Sequence, residues 1–149
     1  MKEQFTAYLK SIGMSDVLVK RIETIHGFYQ SISPGEITDV FVGEHLEADG
    51  NRAYESAWFF SQNYFMEAKT FTTKDNFDLV PVRNRVRHWR VEKQDYDFVN
   101  ATEKSRMVIE IRLIESLGGI FRASKENCDF LRDVFRKHIL PNIVCIGEP

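Results

Sequence analysis

The most concentrated group of chemically useful side chains is a basic segment in the middle of the chain. It contains Arg83, Arg85, Arg87, His88, Trp89 and Arg90. Guanidinium groups bind phosphate and carboxylate oxygens in a bidentate manner, and an indole ring stacks on ligands or lies at interfaces. If the strand runs straight, Arg83, Arg85 and Arg87 share one face. The segment is typical of a surface for an anionic partner, namely a lipid head group, a nucleic acid or an acidic protein.

A simpler interpretation explains the same arginines as one face of a solvated strand. Glu92, Asp95 and Asp97 follow closely in the sequence and would neutralise part of the positive charge. The sequence favours this interpretation over the binding site. The ligand-binding residues of that less favoured site would be Arg83, Arg85, Arg87, Trp89 and Arg90.

No other group of residues predicts catalysis or metal binding. The four histidines, His26, His45, His88 and His138, show no metal-ligand spacing with one another or with the cysteines. Glycine-rich phosphate loops, nucleophile elbows and zinc-protease motifs do not occur in the sequence. We therefore expect a protein that is not an enzyme and holds neither a metal nor a cofactor.

Composition places the chain among ordinary globular proteins. It has 149 residues, 43% of them hydrophobic, and a net charge of −2. This charge argues against a general nucleic-acid binder, which normally carries a basic excess. Two cysteines are too few for a disulfide framework, and neither a signal peptide nor an apolar run of membrane-spanning length is evident. The expected location is the cytoplasm.

The first 33 residues have helical periodicity. Phe5, Leu9 and Ile12 recur at helical spacing up to Gly13, which is a typical C-terminal cap. Ser15 or Asp16 is expected to cap a second helix that runs to about Ser33.

From residue 36 the apolar period changes to about two, which predicts strands. The predicted strands are Ile37 to Leu46, Tyr54 to Phe60, Tyr64 to Phe71, Phe77 to Arg83, Arg85 to Asp95, Met107 to Leu113, and Ile120 to Ala123. Pro81 suggests that the fourth strand lies at an edge or a bulge. The aromatic residues of the second and third strands are expected to be core, and those forced to the opposite face to contact the N-terminal helices or another subunit.

The end of the chain is predicted to return to a helix. Gly118 and Gly119 indicate a tight turn before the seventh strand, because both tolerate positive φ. Ser124 is a good N-cap for the following helix, which Pro141 ends. The predicted apolar stripe of this helix is Cys128, Leu131, Val134, Phe135 and either His138 or Ile139.

This order of elements resembles the bacterial pleckstrin-homology-like and GRAM-like families over about residues 36–140. The likeness depends on the apolar patterns of Tyr54–Phe60, Tyr64–Lys69 and Phe77–Val82. It implies a mainly β, α+β fold: a seven-stranded antiparallel barrel, or two nearly orthogonal sheets, capped by the C-terminal helix. The N-terminal helical pair lies outside that fold and is expected to cover an edge or opening.

The resulting domain prediction is an N-terminal helical extension at 1–35, a pleckstrin-homology-like domain at 36–141 and a tail at 142–149. The main alternative is the helix-led α+β cone of the nuclear-transport-factor kind, which normally ends in strands. A chain that ends in a well-capped helix after a hairpin favours the pleckstrin-homology-like fold.

The resemblance does not extend to the lipid site of the superfold. Phosphoinositide-binding members use basic residues in the first hairpin loop, but here residues 43–52 contain Glu44, Glu47 and Asp49 against Arg52. An acidic loop repels phosphate. We therefore expect a non-enzymatic binding or scaffold module that acts through protein–protein contacts, including self-association. The alternative is a peripheral-membrane or anionic-ligand binder that uses the Arg83–Arg90 segment.

Overall fold

A computed structural model describes residues 1–33, 35–97 and 102–144. Within these residues the protein is α+β, with three α-helices and two antiparallel sheets of four and three strands. The described strands pair as two sheets and not as one closed barrel. The chain divides into two compact units, Met1–Val80 and Pro81–Pro149. The domain limits at 35/36 and 141/142 remain predictions.

The first unit begins with two helices whose boundaries follow the predicted capping residues. Helix α1 spans Glu3–Ser11, and Gly13 follows it with φ of 83°, a left-handed conformation that glycine adopts at little cost. Helix α2 spans Asp16–Ile32, and the Ser15 hydroxyl accepts a hydrogen bond from the Leu18 amide. Of the two predicted caps, Ser15 and Asp16, Ser15 is therefore the N-cap of α2.

The four strands of the first unit form one antiparallel sheet in sequence order. They are β1 (Asp39–Leu46), β2 (Arg52–Phe60), β3 (Tyr64–Lys69) and β4 (Phe77–Pro81). Pro81 is the last residue of β4, which is an edge strand, as its lack of an amide donor requires. The prediction for Pro81 is confirmed, although the strand ends two residues earlier than expected.

The last four residues of β2, from Ala57 to Phe60, are buried on both faces of the strand. Phe59 lies on the face that meets α2, where its ring centroid is 6.2 Å from that of Tyr29. Trp58 and Phe60 point to the opposite face and are also fully buried, as is Phe65 of β3, which lies across from Phe60. These aromatic side chains are core, as predicted, and the N-terminal helices cover one of the two faces.

Polar contacts fix the two helices on this sheet. The Tyr54 hydroxyl donates to the Ile12 carbonyl at the end of α1 over 2.8 Å. On α2, Arg21 donates through Nε to the Phe71 carbonyl at 2.8 Å and forms an ion pair with Asp75. These contacts tie the end of α1 to β2, and α2 to the loop between β3 and β4.

The second unit contains a three-stranded antiparallel sheet in the order β5–β6–β7. These strands are β5 (Val86–Asp97), β6 (Thr102–Leu113) and β7 (Ser116–Ser124). Met107, Ile109, Ile111 and Leu113 alternate along β6 and are all buried, as their two-residue period predicts. We call this side of the sheet the inner face, and the opposite side the outer face.

The predicted turn at Gly118 and Gly119 is wrong. The chain reverses at Ile114 and Glu115, where Glu115 has φ of 66°, and both glycines lie inside β7. Gly118 is the extra residue where the β6–β7 register shifts beside Ile111. A Cβ on Gly118 would lie 2.7 Å from the Ile111 carbonyl oxygen, so the glycine is required for close approach of two strands and not for positive φ.

The C-terminal helix is present, but it begins later than predicted. Helix α3 spans Asn127–Val134, followed by a π-helical turn at Phe135–Ile139 and a short 3₁₀ turn at Leu140–Asn142. Ser124 is not its N-cap: it is buried at the end of β7, and Lys125, with φ of 53°, turns the chain. The predicted stripe is buried, including both His138 and Ile139.

None of the helices that the structure describes is long and apolar enough to cross a lipid bilayer.

Candidate interaction surface

The segment predicted to bind anions lies at the start of β5, an edge of the second sheet. Arg83 is exposed and Arg85 half-buried in a turn that precedes the strand. The Arg85 Nη2 donates to the Ile114 carbonyl at 3.4 Å, across the turn between β6 and β7. Arg87 follows where the pairing with β6 shifts between Val86 and His88. The straight strand that would align Arg83, Arg85 and Arg87 on one face is therefore not formed.

Trp89 and Arg90, the other two predicted site residues, point to opposite faces of the sheet. Trp89 lies across from Ile111 on the inner face, whereas Arg90 lies across from Glu110 on the outer face. Successive side chains of a strand alternate between faces, so the two cannot form one binding group. The structure thus divides the predicted site residues among a turn, a bulge and two faces.

Trp89 and Val91 form an exposed apolar strip along the inner side of β5. Trp89 is 41% exposed and Val91 42% exposed. The other side of the indole packs against Phe135 of the π-helical turn, with ring centroids 5.2 Å apart. This contact fixes the indole in place. The strip therefore presents apolar surface to solvent at a defined position on a sheet edge.

Strand β5 is exposed along most of its length. All eight residues from Arg87 to Gln94 are exposed. Among the residues described, the only chain segment paired with its outer edge is the C-terminal one: Val86 bridges Ile143, and the Val144 amide donates to the Val86 carbonyl at 2.8 Å. Proteins usually cover or shorten such edges, because the edge backbone can pair with another strand.

The outer face of the second sheet collects basic residues from all three strands. The register places Arg90 of β5, Arg106 and Arg112 of β6, and Arg122 of β7 on this one face. Glu92 and Glu110 lie on the same face, and Arg90 forms an ion pair with Glu92. Strand alternation alone predicts that Arg106 and Arg112 share a face. That Arg90 and Arg122 lie on the same face depends on the register, which the sequence does not reveal.

A shallow depression of about 290 Å³ lies beside the C-terminal half of β5 and the neighbouring part of β6. It is lined by Glu92, Lys93, Gln94, Arg106 and Val108. Both charge signs line it, and Val108 supplies its apolar part. The depression is thus an amphipathic continuation of the β5 surface.

Charge is distributed unequally between the two units. Residues 1–80 contain seven Lys and Arg against twelve Asp and Glu, a net charge of −5. Residues 81–149 contain thirteen against ten, a net charge of +3. The near-neutral total of −2 therefore conceals a basic half, and the basic half is the one that contains β5.

The first hairpin is less acidic on its surface than its sequence indicates. Glu44 belongs to β1, is 1% exposed, and its Oε2 lies 3.4 Å from Nε of Arg52. Exposed charge in the turn comes from Glu47 and Asp49. Sequence reasoning missed the burial of Glu44, because a register shift at Gly43 and Glu44 alters the alternation there.

Among the titratable groups of the first unit, His26 and Glu67 have pKa values that burial shifts. Burial between the rings of Phe5 and Phe59 lowers the pKa of His26, and the nearby Lys2 ammonium adds to the effect. Burial raises the pKa of Glu67, although the Lys69 ammonium, 3.8 Å away, opposes the shift.

Within residues 1–33, 35–97 and 102–144, no three His, Cys, Asp or Glu side chains are grouped as metal ligands would be. Comparison of the chain with protein-family models, with curated proteins and with solved structures finds no match.

Proposed function

We propose that this chain is a non-enzymatic binding or scaffold module that works through protein–protein contacts at the β5 edge. The observation behind the proposal is the exposed strand segment from Arg87 to Gln94, whose outer edge pairs with no described segment and which presents the Trp89–Val91 strip. Addition of a partner strand to a sheet edge is a common mode of recognition: the main chain supplies affinity and alternate side chains supply specificity.

Strand addition suits the chemistry of this edge. The partner backbone would take the outward-facing N–H and C=O groups of β5. Its side chains would lie beside Trp89 and Val91 on the inner face and beside Arg90 and Glu92 on the outer face. Aromatic anchors such as Trp89 often dominate binding energy when a partner excludes water from them.

The order of elements supports a pleckstrin-homology-like fold as part of the same proposal. Four antiparallel strands, three antiparallel strands and a C-terminal helix follow one another as the resemblance implies, after a helical pair that lies outside it. A cytoplasmic location is also proposed, on the ground that the chain has two cysteines, of which Cys128 is a buried free thiol.

A selection from random peptides tests the proposed function. The intact chain is the bait, and the Val91→Pro variant is the counter-target, because proline lacks an amide donor and disfavours strand pairing. Val91→Thr, which keeps the amide and the β-propensity, is the matched control. Peptides that bind wild type and the threonine variant but not the proline variant support the proposal. Without such peptides and without self-association, the proposal fails.

A second candidate function is binding of an anionic surface by the outer face. The four arginines that share this face, together with the net charge of the second unit, favour it. Co-sedimentation with phosphatidylserine vesicles, and with phosphatidylcholine vesicles as control, tests it. Arg106→Glu and Arg112→Glu should each weaken salt-sensitive binding, and Arg87→Glu tests the contribution of the segment predicted from sequence. Binding that ignores salt and all three substitutions would exclude this function.

A further inference from the structure

The regular part of β5 is short and has a definite centre. Pairing with β6 shifts between Val86 and His88 and again between Gln94 and Tyr96. Seven residues, from His88 to Gln94, lie between these two irregularities, and Val91 is the middle one. An antiparallel copy of β5 that pairs with all seven of these residues without a bulge is therefore centred on Val91.

The residues on either side of Val91 are complementary to one another in reverse order. Arg90 and Glu92, one residue away on each side, have opposite charges. Trp89 and Lys93, two residues away, are an aromatic ring and a cation. His88 and Gln94, three residues away, can exchange hydrogen bonds. In two antiparallel copies that cross at Val91, each of these pairs lies directly opposite.

We propose that the partner of the β5 edge is a second copy of this chain, paired antiparallel about a two-fold axis at Val91. The proposal rests on the strand-binding function proposed above and names its partner. The two three-stranded sheets join into one of six strands. Opposite side chains in such a pair lie on the same face with Cβ atoms about 4.5–5.5 Å apart. Arg90 then meets the other copy's Glu92, and Trp89 meets its Lys93.

Three other registers of the same pairing, centred on Arg90, Glu92 and Trp89, are unfavourable. A two-fold axis between antiparallel strands passes between a residue and its own copy. Centring on Arg90 places two guanidinium groups opposite one another, and centring on Glu92 opposes two carboxylates, both of which destabilise the pair. A seven-residue pairing centred on Trp89 would extend back to Val86. The C-terminal segment already occupies the edge at Val86 through Ile143.

The proposed dimer should be weak and concentration-dependent. Pairing of seven residues buries less area than a standard protein interface, and such small interfaces belong to transient complexes. Association is therefore measured by sedimentation velocity over a concentration series that extends to about 1 mM, the range where weak binding still populates a complex.

Charge-reversal variants give the sharpest test. In a dimer of Arg90→Glu, the new carboxylate of each chain lies opposite Glu92 of the other chain. In a dimer of Glu92→Arg, the new guanidinium group of each chain lies opposite Arg90 of the other chain. Each variant alone should sediment as a monomer where wild type associates. An equimolar mixture of the two variants should associate again, because each chain then faces its opposite charge. The ion pair within one strand cannot produce this rescue, since mixing chains does not rebuild it.

Single cysteines define the register independently. In a Cys128→Ala/Cys145→Ala background, Val91→Cys should form a disulfide-linked dimer on mild oxidation, because its Cβ faces its own copy. Trp89→Cys and Lys93→Cys should each remain unlinked alone and become linked when mixed. Circular dichroism of every variant checks that it is folded.

The outcomes separate this proposal from the function on which it rests. Rescue by mixing, together with self-linking at Val91 alone, supports the dimer. A wild type that remains monomeric, or association that both charge variants leave unchanged, overturns it. In that case, peptides that bind wild type but not Val91→Pro would still support the proposed function, with a partner other than a second copy. If no such peptides are found, both the proposed function and the dimer are refuted.

Discussion

The hydroxyl of Tyr8 on α1 accepts a hydrogen bond from the backbone amide of Val42, a residue in the middle of edge strand β1, at 2.8 Å. The amide points away from β2, so the helix takes a donor that would otherwise be available to another chain. The chain thus covers the β1 edge with its own N-terminal helix.

The β5 edge provides the contrast. Its only described outer pairing involves Val86, Ile143 and Val144 at the beginning of the strand, and the next eight residues are exposed. A sequence that protects one edge and exposes another is consistent with strand binding at the exposed one.

Tyr8→Phe should destabilise the protein by about 1–3 kcal/mol, because the substitution leaves the buried Val42 amide without its acceptor. Urea unfolding followed by circular dichroism measures the change. Tyr29→Phe is the matched control: the Tyr29 hydroxyl is 3.3 Å from the Ser61 hydroxyl, so no backbone group loses a partner and the loss should be smaller. Equal losses would contradict the capture of the edge amide by Tyr8.

Gly118→Ala should destabilise the second sheet by about 1–3 kcal/mol, the usual cost of overpacking. The new methyl group would lie 2.7 Å from the Ile111 carbonyl oxygen, which is backbone and cannot move aside freely. Gly27→Ala is a matched control in α2, where a Cβ meets nothing within 4 Å. That substitution should stabilise the helix by about 0.5–1 kcal/mol. A neutral Gly118→Ala would show that the strands do not approach so closely.

Glu67→Gln should stabilise the protein at neutral pH and have little effect in acid. Burial raises the pKa of Glu67 in the folded state, so its favourable contribution is present below the unfolded value and is lost as pH rises through the folded value. Glutamine removes that loss. The difference in unfolding free energy between variant and wild type should therefore grow from about pH 4 to about pH 7. A difference that shrinks over this range would contradict the raised pKa.

His26→Gln should flatten the pH dependence of stability on the acid side of neutrality. Burial lowers the pKa of His26 in the folded state, so the unfolded chain binds the proton more readily as pH falls below its ordinary 6.5. Wild type should therefore lose stability between about pH 7 and about pH 5, and the variant should lose less. Parallel pH profiles for the two proteins would show that His26 is solvated and not held between aromatic rings.

Features that depend on neighbouring residues were predicted well from the sequence. Gly13 and Ser15 act where their local chemistry indicates, and the alternation of β6 gives its buried face. The stripe of the C-terminal helix was also correct. These features need only the backbone preferences and the periodicity of a short segment.

Features that depend on pairing between distant segments were not predicted. The Gly118–Gly119 pair predicts a turn, because the contact that requires Gly118 comes from Ile111 on another strand and leaves no local signal. The arginines Arg83, Arg85 and Arg87 were expected on one strand face, but a turn and a bulge separate them. The burial of Glu44 against Arg52 likewise follows from a register shift. Register and bulges therefore set the limit of the sequence analysis.

The central claim, that the β5 edge is an interaction surface, is tested most directly by amide hydrogen exchange of the intact chain as a function of protein concentration. Strand pairing predicts that outward-facing amides between His88 and Gln94 exchange more slowly as concentration rises, whereas amides of β7 keep their rates. Exchange in β5 that stays fast and independent of concentration, even in the presence of the peptides selected on wild type, would contradict the claim.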